Sequence, residues 1–141
     1  LIAKTGVACC LMHNRENTDY QNFLADFMDD MKECVKIAKD AGIADDRIIL
    51  DPGVGFGKTY EMNLEIIDKL EIMKELGYPV LLGTSRKSVI GLTLDLPVEE
   101  REEGTMVTTV YGVQKGCAFV RVHDIKENKR VIQMTEAILG R

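Results

Sequence analysis

Four times along this chain of 141 residues, a short apolar run suited to a buried strand is followed by a longer stretch whose apolar residues recur at helical spacing. Such alternation builds a parallel sheet, because strands running the same way need a long crossover, and a helix laid on the sheet supplies it. The first unit pairs a strand over Val7 to His13 with a helix from Tyr20 to Ala41. That helix turns Leu24, Phe27, Met28, Met31, Val35 and Ala38 inward and stops at Gly42. The second pairs a strand over Arg47 to Asp51 with a helix starting near Thr59, with Leu64, Ile67 and Leu70 inward and Gly77 past its end. In the third, Pro79 enters a strand over Val80 to Gly83, and the chain passes through a short helix over Ser85 to Gly91 into a second helix ending before Gly116. The fourth has a strand over Phe119 to His123 and a last helix carrying Val131, Met134 and Ile138, introduced by Asp124 and Glu127 at the spacing of a capping box.

No Pro- or Gly-rich linker divides the chain, so residues 1–141 read as one α/β domain. Four βα units suit either an open doubly wound sheet or half of a (β/α)8 barrel, whose full circuit takes about 250 residues. In both architectures the residues that meet ligands gather at the C-terminal ends of the strands. The opening LIAKTG has the look of the last turn of a helix begun upstream, which marks the chain as a piece of a longer protein.

Composition narrows the functional classes. With 45% hydrophobic and 29% charged residues the chain is globular in type, and no apolar run approaches the ~18–20 residues that span a bilayer. The first residues lack the regions of a signal peptide, so a cytoplasmic location is expected. A net charge of -5 with scattered Lys and Arg disfavours nucleic acid as a partner. Cys9, Cys10, Cys34 and Cys117 form no CxxC pair, and neighbours such as Cys9 and Cys10 face opposite sides of a strand. They read as small core residues in a reducing compartment, not as a zinc site or disulfide.

Three strand ends carry chemistry. Asp51-Pro52-Gly53-Val54-Gly55-Phe56-Gly57-Lys58-Thr59 invites comparison with phosphate-binding loops, but a Walker loop would need Gly where Pro52 stands, and a dinucleotide fingerprint from Gly53 would need Gly at Lys58. What remains is a carboxylate at a strand end, followed by glycines that allow tight turning and close approach to a ligand. Asp51 is either an acceptor at the mouth or a turn-capping residue. The next strand ends in Gly83-Thr84-Ser85-Arg86-Lys87-Ser88, which places two cations and three hydroxyls at a helix start. That junction is suited to a carboxylate or phosphate, or is simply a solvated basic turn. In Phe119-Val120-Arg121-Val122-His123 the period of two puts Arg121 and His123 on one face, where Arg can grip an anion bidentately and His can donate a second bond. If Arg121 is buried, it needs an anionic partner. His13 either lines the same mouth or caps its turn. Together these residues suggest a carboxylate for an N–H-rich heterocycle beside a cationic pocket of diphosphate size.

In their order and spacing, DPGVGFGK, LLGTSRKS and FVRVHD resemble the successive C-terminal signatures of the dihydropteroate synthase family, and CLMHNRE resembles the strand before them. The resemblance covers essentially the whole chain. It implies the last four βα units, strands five to eight, of that family's (β/α)8 TIM barrel. It also implies a transferase of folate biosynthesis and a sulfonamide target, which condenses 6-hydroxymethyl-7,8-dihydropterin diphosphate with p-aminobenzoate to give 7,8-dihydropteroate and diphosphate. On matching positions, Asp51 would bind the amino-pyrimidine edge of the pterin, and Lys87 would contact its ring beside Gly83. Arg121 and His123 would hold the diphosphate, Phe56 would pack near the p-aminobenzoate ring, and Ser88 would receive its carboxylate. Lys87, Arg121 and His123 are the expected catalytic residues. The family uses Mg2+, but its metal ligand, its other pterin-contacting Asp and Asn and two closing loops belong to strands absent here. The resemblance therefore implies no metal ligand in this chain and little activity from it alone. The open sheet edges imply pairing, as a homodimer or with a complementary half. Two alternatives stand beside this reading: a pterin-binding methyltetrahydrofolate methyltransferase, against which SRKS and RVHD speak, and a non-catalytic anion-binding fragment.

Overall fold

A computed structural model describes all 141 residues. After a single helical turn, α1 (Ile2–Thr5), closed by Gly6 in the left-handed conformation, come strand β1 (Cys9–Met12) and helix α2 (Phe23–Asp40). Strand β2 (Ile48–Asp51) leads to α3 (Tyr60–Asp68), which tightens into a 3-10 helix over Leu70–Leu76. Strand β3 (Leu81–Leu82) is followed by α4 (Ser88–Leu94) and α5 (Glu102–Lys115), and strand β4 (Phe119–Val120) by α6 (Ile125–Leu139).

Every pairing is parallel. Leu11 of β1 lies opposite Leu50 of β2, and Leu82 of β3 opposite Val120 of β4. A bridge from Leu50 to Val80 joins the two pairs, with the Leu50 N–H donating to the Pro79 carbonyl at 2.9 Å. The strands therefore run in sequential order. A doubly wound sheet reverses its order at a switch point, whereas sequential parallel neighbours with helical crossovers are what a (β/α)8 barrel uses.

The core lies between this sheet and its helices. Ile48, Leu50 and Leu82 point outward from the strands against Phe23, Phe27 and Met31 of α2, Ile66, Ile67, Leu70 and Met73 after β2, and Val89 and Ile90 of α4. Each fully buried side chain of this size contributes about 1.5–3 kcal/mol. The alternate positions form the other face, which stays open: Cys10, Met12 and Phe119 are exposed, and Ile49 and Leu81 half-buried.

Several expectations need correction. Leu64 is 41% exposed, and Asn63 takes the buried row with Ile66, Ile67 and Leu70. The Asn63 amide earns that place by accepting the Gly55 N–H at 2.7 Å and donating to the Thr59 carbonyl at 2.8 Å. On α6, Met134 and Ile138 are exposed, and the helix buries Asn128 and Thr135 instead, with Thr109 of α5 donating to the Asn128 side-chain oxygen at 2.7 Å. Asp124 makes no side-chain cap on α6, because its carboxylate is drawn to Arg86 at 2.7 Å. The cysteines are free, and Cys9 and Cys117 pack half-buried against the core as expected, whereas Cys10 is exposed and Cys34 only half-buried. The short helix starts at Ser88, three residues later than its sequence pattern suggests, because Arg86 adopts a left-handed φ of 58° that no helix tolerates.

Candidate ligand-binding site at the strand ends

The side chains singled out in the motifs converge at the C-terminal ends of β2, β3 and β4. Asp51, the last residue of β2, uses one carboxylate oxygen to accept the Gly53 N–H at 2.7 Å, which closes the turn into the glycine loop. The other oxygen faces Gly83. A methyl group at Gly83 would stand 4.0 Å from Asp51 Oδ2 and 3.9 Å from Arg121 Cβ, so Gly83 lies between the bases of these two side chains. The turn-capping reading of Asp51 thus holds for one oxygen, and the other makes no hydrogen bond within the chain. Burial raises its pKa, against the pull of the Gly53 N–H and of the charges on Lys87, Lys58 and Arg121.

Lys87 enters from the turn before α4. Its ammonium donates to the Val54 carbonyl and lies 5.0 Å above the ring of Phe56, which is itself 41% exposed. Burial lowers the Lys87 pKa, opposed by Asp51 and helped by Arg121. A cleft of about 110 Å³ is lined by Gly83, Ser85, Lys87, Arg121, Val122 and His123. Within it Ser85 Oγ accepts the His123 backbone N–H at 3.1 Å and lies 2.8 Å from His123 Nδ1. The one hydroxyl thus meets both the main chain and the ring of His123.

Arg121 is exposed and forms no ion pair or side-chain hydrogen bond within the chain, so the condition under which it would need an internal anion does not arise. The open inner face leaves its guanidinium in solvent beside the cleft. Arg86, the other cation of SRKS, turns away to Asp124, so only Lys87 of that pair serves the cleft. Ser88 is exposed at the first position of α4 and does not line the cleft. The glycines also differ from expectation. Gly53 and Gly57 press on the backbone of His13 and Arg15, not on open ligand space, while Gly55 faces Lys87.

The resulting surface is one carboxylate oxygen, the position of Gly83, and a cluster of donors. It fits a planar ring with N–H groups joined to a polyanion. A family profile described as "Pterin binding enzyme" matches residues 1–123. The chain belongs to the pterin-binding enzyme family. Within it, the chain is 64% identical over 99% of its length to a dihydropteroate synthase of Clostridium beijerinckii, covering 52% of that protein, and 53% identical to that of Bacillus subtilis, covering 49%. It thus spans about half the length of these relatives. Among solved structures, a dihydropteroate synthase from Clostridium difficile in the presence of pteroic acid superposes with a TM-score of 0.94 at 46% identity, over 97% of this chain and 52% of that one. A Yersinia pestis dihydropteroate synthase with a sulfonamide drug gives 0.94 at 32% identity, over 98% of this chain and 53% of that one.

In this member of the family, Ser85 was visible in SRKS only as a hydroxyl, and nothing in its spacing linked it to His123, which lies 38 residues on. His13 neither lines the mouth nor caps a turn, being buried between Asp30 and Lys58. The residues present do not fit a magnesium ion. No three His, Cys, Asp or Glu side chains converge, and the cleft presents nitrogen donors and cations where Mg2+ takes oxygen. No helix is long and apolar enough to cross a membrane.

Proposed function

We propose that these residues form one wall of a dihydropteroate synthase active site, the last four βα units of a (β/α)8 barrel. The observation that carries this is the meeting of Asp51, Gly83, Lys87, Arg121 and His123 around one opening, with Arg121 free of any internal partner. The inner-facing Asp51 oxygen accepts from the amino-pyrimidine edge of a pterin seated over Gly83, and Lys87 lies along its ring. Arg121 and His123 hold the diphosphate. As the bond from methylene carbon to diphosphate oxygen breaks, negative charge grows on the leaving group, and these groups stabilise it. The amine nitrogen of p-aminobenzoate then bonds to the methylene carbon and releases its proton to solvent. Phe56 packs against the p-aminobenzoate ring, and Ser88 stands where its carboxylate arrives. No side-chain nucleophile is needed, because the work is positioning and charge stabilisation.

A magnesium ion would be held by parts of the enzyme outside these residues, and the chain alone turns over little or no substrate. Its open inner face, with Met12, Ile49, Leu81 and Phe119, is barrel interior, and in isolation it pairs with a second copy. Light scattering should give a dimer, and a stable monomer at micromolar concentration would contradict the pairing. Calorimetric titration with pterin diphosphate tests the site. Asp51→Asn and Arg121→Ala should each weaken binding about ten- to a hundredfold, the loss expected for a charged hydrogen bond. Affinity that ignores both substitutions refutes the assignment.

A further inference from the structure

Behind the cleft lies a polar cluster that no step above uses. The His13 ring is 1% exposed, with Nε2 2.9 Å from Asp30 Oδ2 and Nδ1 2.8 Å from the Lys58 ammonium. Lys58 Nζ also donates to the carbonyls of Gly53 and Phe56, at 3.0 Å each. An ammonium has three protons and can accept nothing, so all its donors are spent and Nδ1 must be the bare nitrogen. The ring proton sits on Nε2 and goes to Asp30. Arg15 grips the same carboxylate from the other side, at 2.7 and 3.0 Å, and lies 4.3 Å over the Tyr20 ring. The Tyr20 hydroxyl donates to the Gly57 carbonyl at 2.7 Å. The loop between β2 and α3 is thus held at three of its carbonyls by one connected network. Burial lowers the Lys58 pKa to about 8, so the ammonium persists at neutral pH, with Asp51 and Asp30 supporting its charge and Lys87 opposing it.

That loop is hard to hold otherwise. Gly53, Gly55 and Gly57 all have positive φ, at 66°, 88° and 57°, and glycine is the residue with the most freedom to leave such a conformation. Yet the loop must present Phe56 beneath Lys87 and keep the Gly53 N–H on Asp51. We infer that Lys58 is a positioning residue, locked between His13 and the carbonyls of Gly53 and Phe56, which fixes the loop that orients Asp51 through the Gly53 N–H and presents Phe56 to the ligand. This rests on the functional reading above, in which those two residues meet the substrates. The competing account is packing alone, since the His13 ring lies 4.6 Å from that of Phe27 and Lys58 5.8 Å above it.

The two accounts separate on the 141-residue chain with Lys58→Met, His13→Asn and His13→Leu. Met keeps length without donors, Asn keeps an acceptor near the place of Nδ1, and Leu keeps bulk without an acceptor. Amide exchange by NMR should quicken at Gly53, Gly55 and Phe56 in Lys58→Met and His13→Leu. If the loop is then ordered about a tenth of the time, affinity for 6-hydroxymethyl-7,8-dihydropterin diphosphate falls about tenfold. His13→Asn should lose less than His13→Leu, and 15N-labelled wild-type His13 should show a bare Nδ1 and a protonated Nε2. Unchanged exchange and affinity in Lys58→Met, the reverse order of the two His13 variants, or a protonated Nδ1 overturns the inference. Asp51→Asn is the control for the functional reading. If it binds like wild type, or wild type does not bind, that reading fails, while the exchange rates still decide whether Lys58 holds the loop.

Discussion

Gly53→Ala puts the closest backbone approach in the molecule to the test. A Cβ built on Gly53 would lie 1.9 Å from the His13 carbonyl oxygen and 3.0 Å from its carbon, and the residue sits at a φ of +66°. The left-handed conformation costs a non-glycine residue about 1–2 kcal/mol. Relieving the overlap adds about 1–3 kcal/mol, because the neighbour is main chain, pinned by the His13 N–H on the Asp51 carbonyl at 3.0 Å. The sum is about 2–5 kcal/mol. Gly55→Ala is the matched control. It carries the same kind of strain at φ +88°, but its Cβ would meet only Lys87 Cδ, at an ordinary 3.6 Å, so about 1–2 kcal/mol is expected. Urea unfolding followed by circular dichroism reads the difference. At a slope of about 2 kcal/mol per molar, Gly53→Ala should lower the midpoint by about 1–2.5 M. If Gly53→Ala costs no more than Gly55→Ala, the β1 and β2 loops are not locked as described.

Asn128→Ala should destabilise the chain by about 1–3 kcal/mol in the same assay, because it leaves the buried Thr109 hydroxyl without its acceptor; a neutral result would show that α5 and α6 do not depend on this bond. Lys58 should leave a mark on pH dependence. Its pKa is about 8 when folded against 10.5 ordinarily, so between those values the unfolded chain binds more protons, and stability rises with pH. Below pH 8 its contribution is constant. Lys58→Met should remove that rise, and parallel stability profiles for the two proteins between pH 8 and 10.5 would refute it.

The backbone plan was legible because period and punctuation report it directly. Gly42, Gly77 and Gly116 follow their helices, and the apolar stripe of α2 faces the core through Phe27, Met31 and Ala38. The strand ends were equally legible, since Asp51 ends β2 and Lys87 and Arg121 lie just after β3 and β4. What sequence could not supply was which polar residue would be buried. Apolar count favours Leu64 over Asn63, but only the fold reveals a Gly55 N–H needing an acceptor there. Asp124 and Glu127 have the spacing of a capping box, but the spacing is blind to Arg86, which lies 38 residues before Asp124 in the chain. Met134 and Ile138 were read as core because helical period gives a stripe and not what covers it.

The division of labour among the cations follows from the same limit. SRKS and RVHD show three basic side chains and a histidine, and sequence treats them alike. Folding sorts them by what each meets first. Arg86 finds Asp124 and becomes part of the frame, and Lys87 finds the Val54 carbonyl and the Phe56 ring and is held half in reserve. Arg121, across Gly83 from Asp51, finds nothing in the chain. In the proposed reading that free guanidinium takes a ligand's charge, while Asp51 keeps one oxygen for the Gly53 N–H. A side chain at Gly83 would come into ordinary contact with both Asp51 and the base of Arg121, so Gly83→Ala tests how closely a ligand must pass between them.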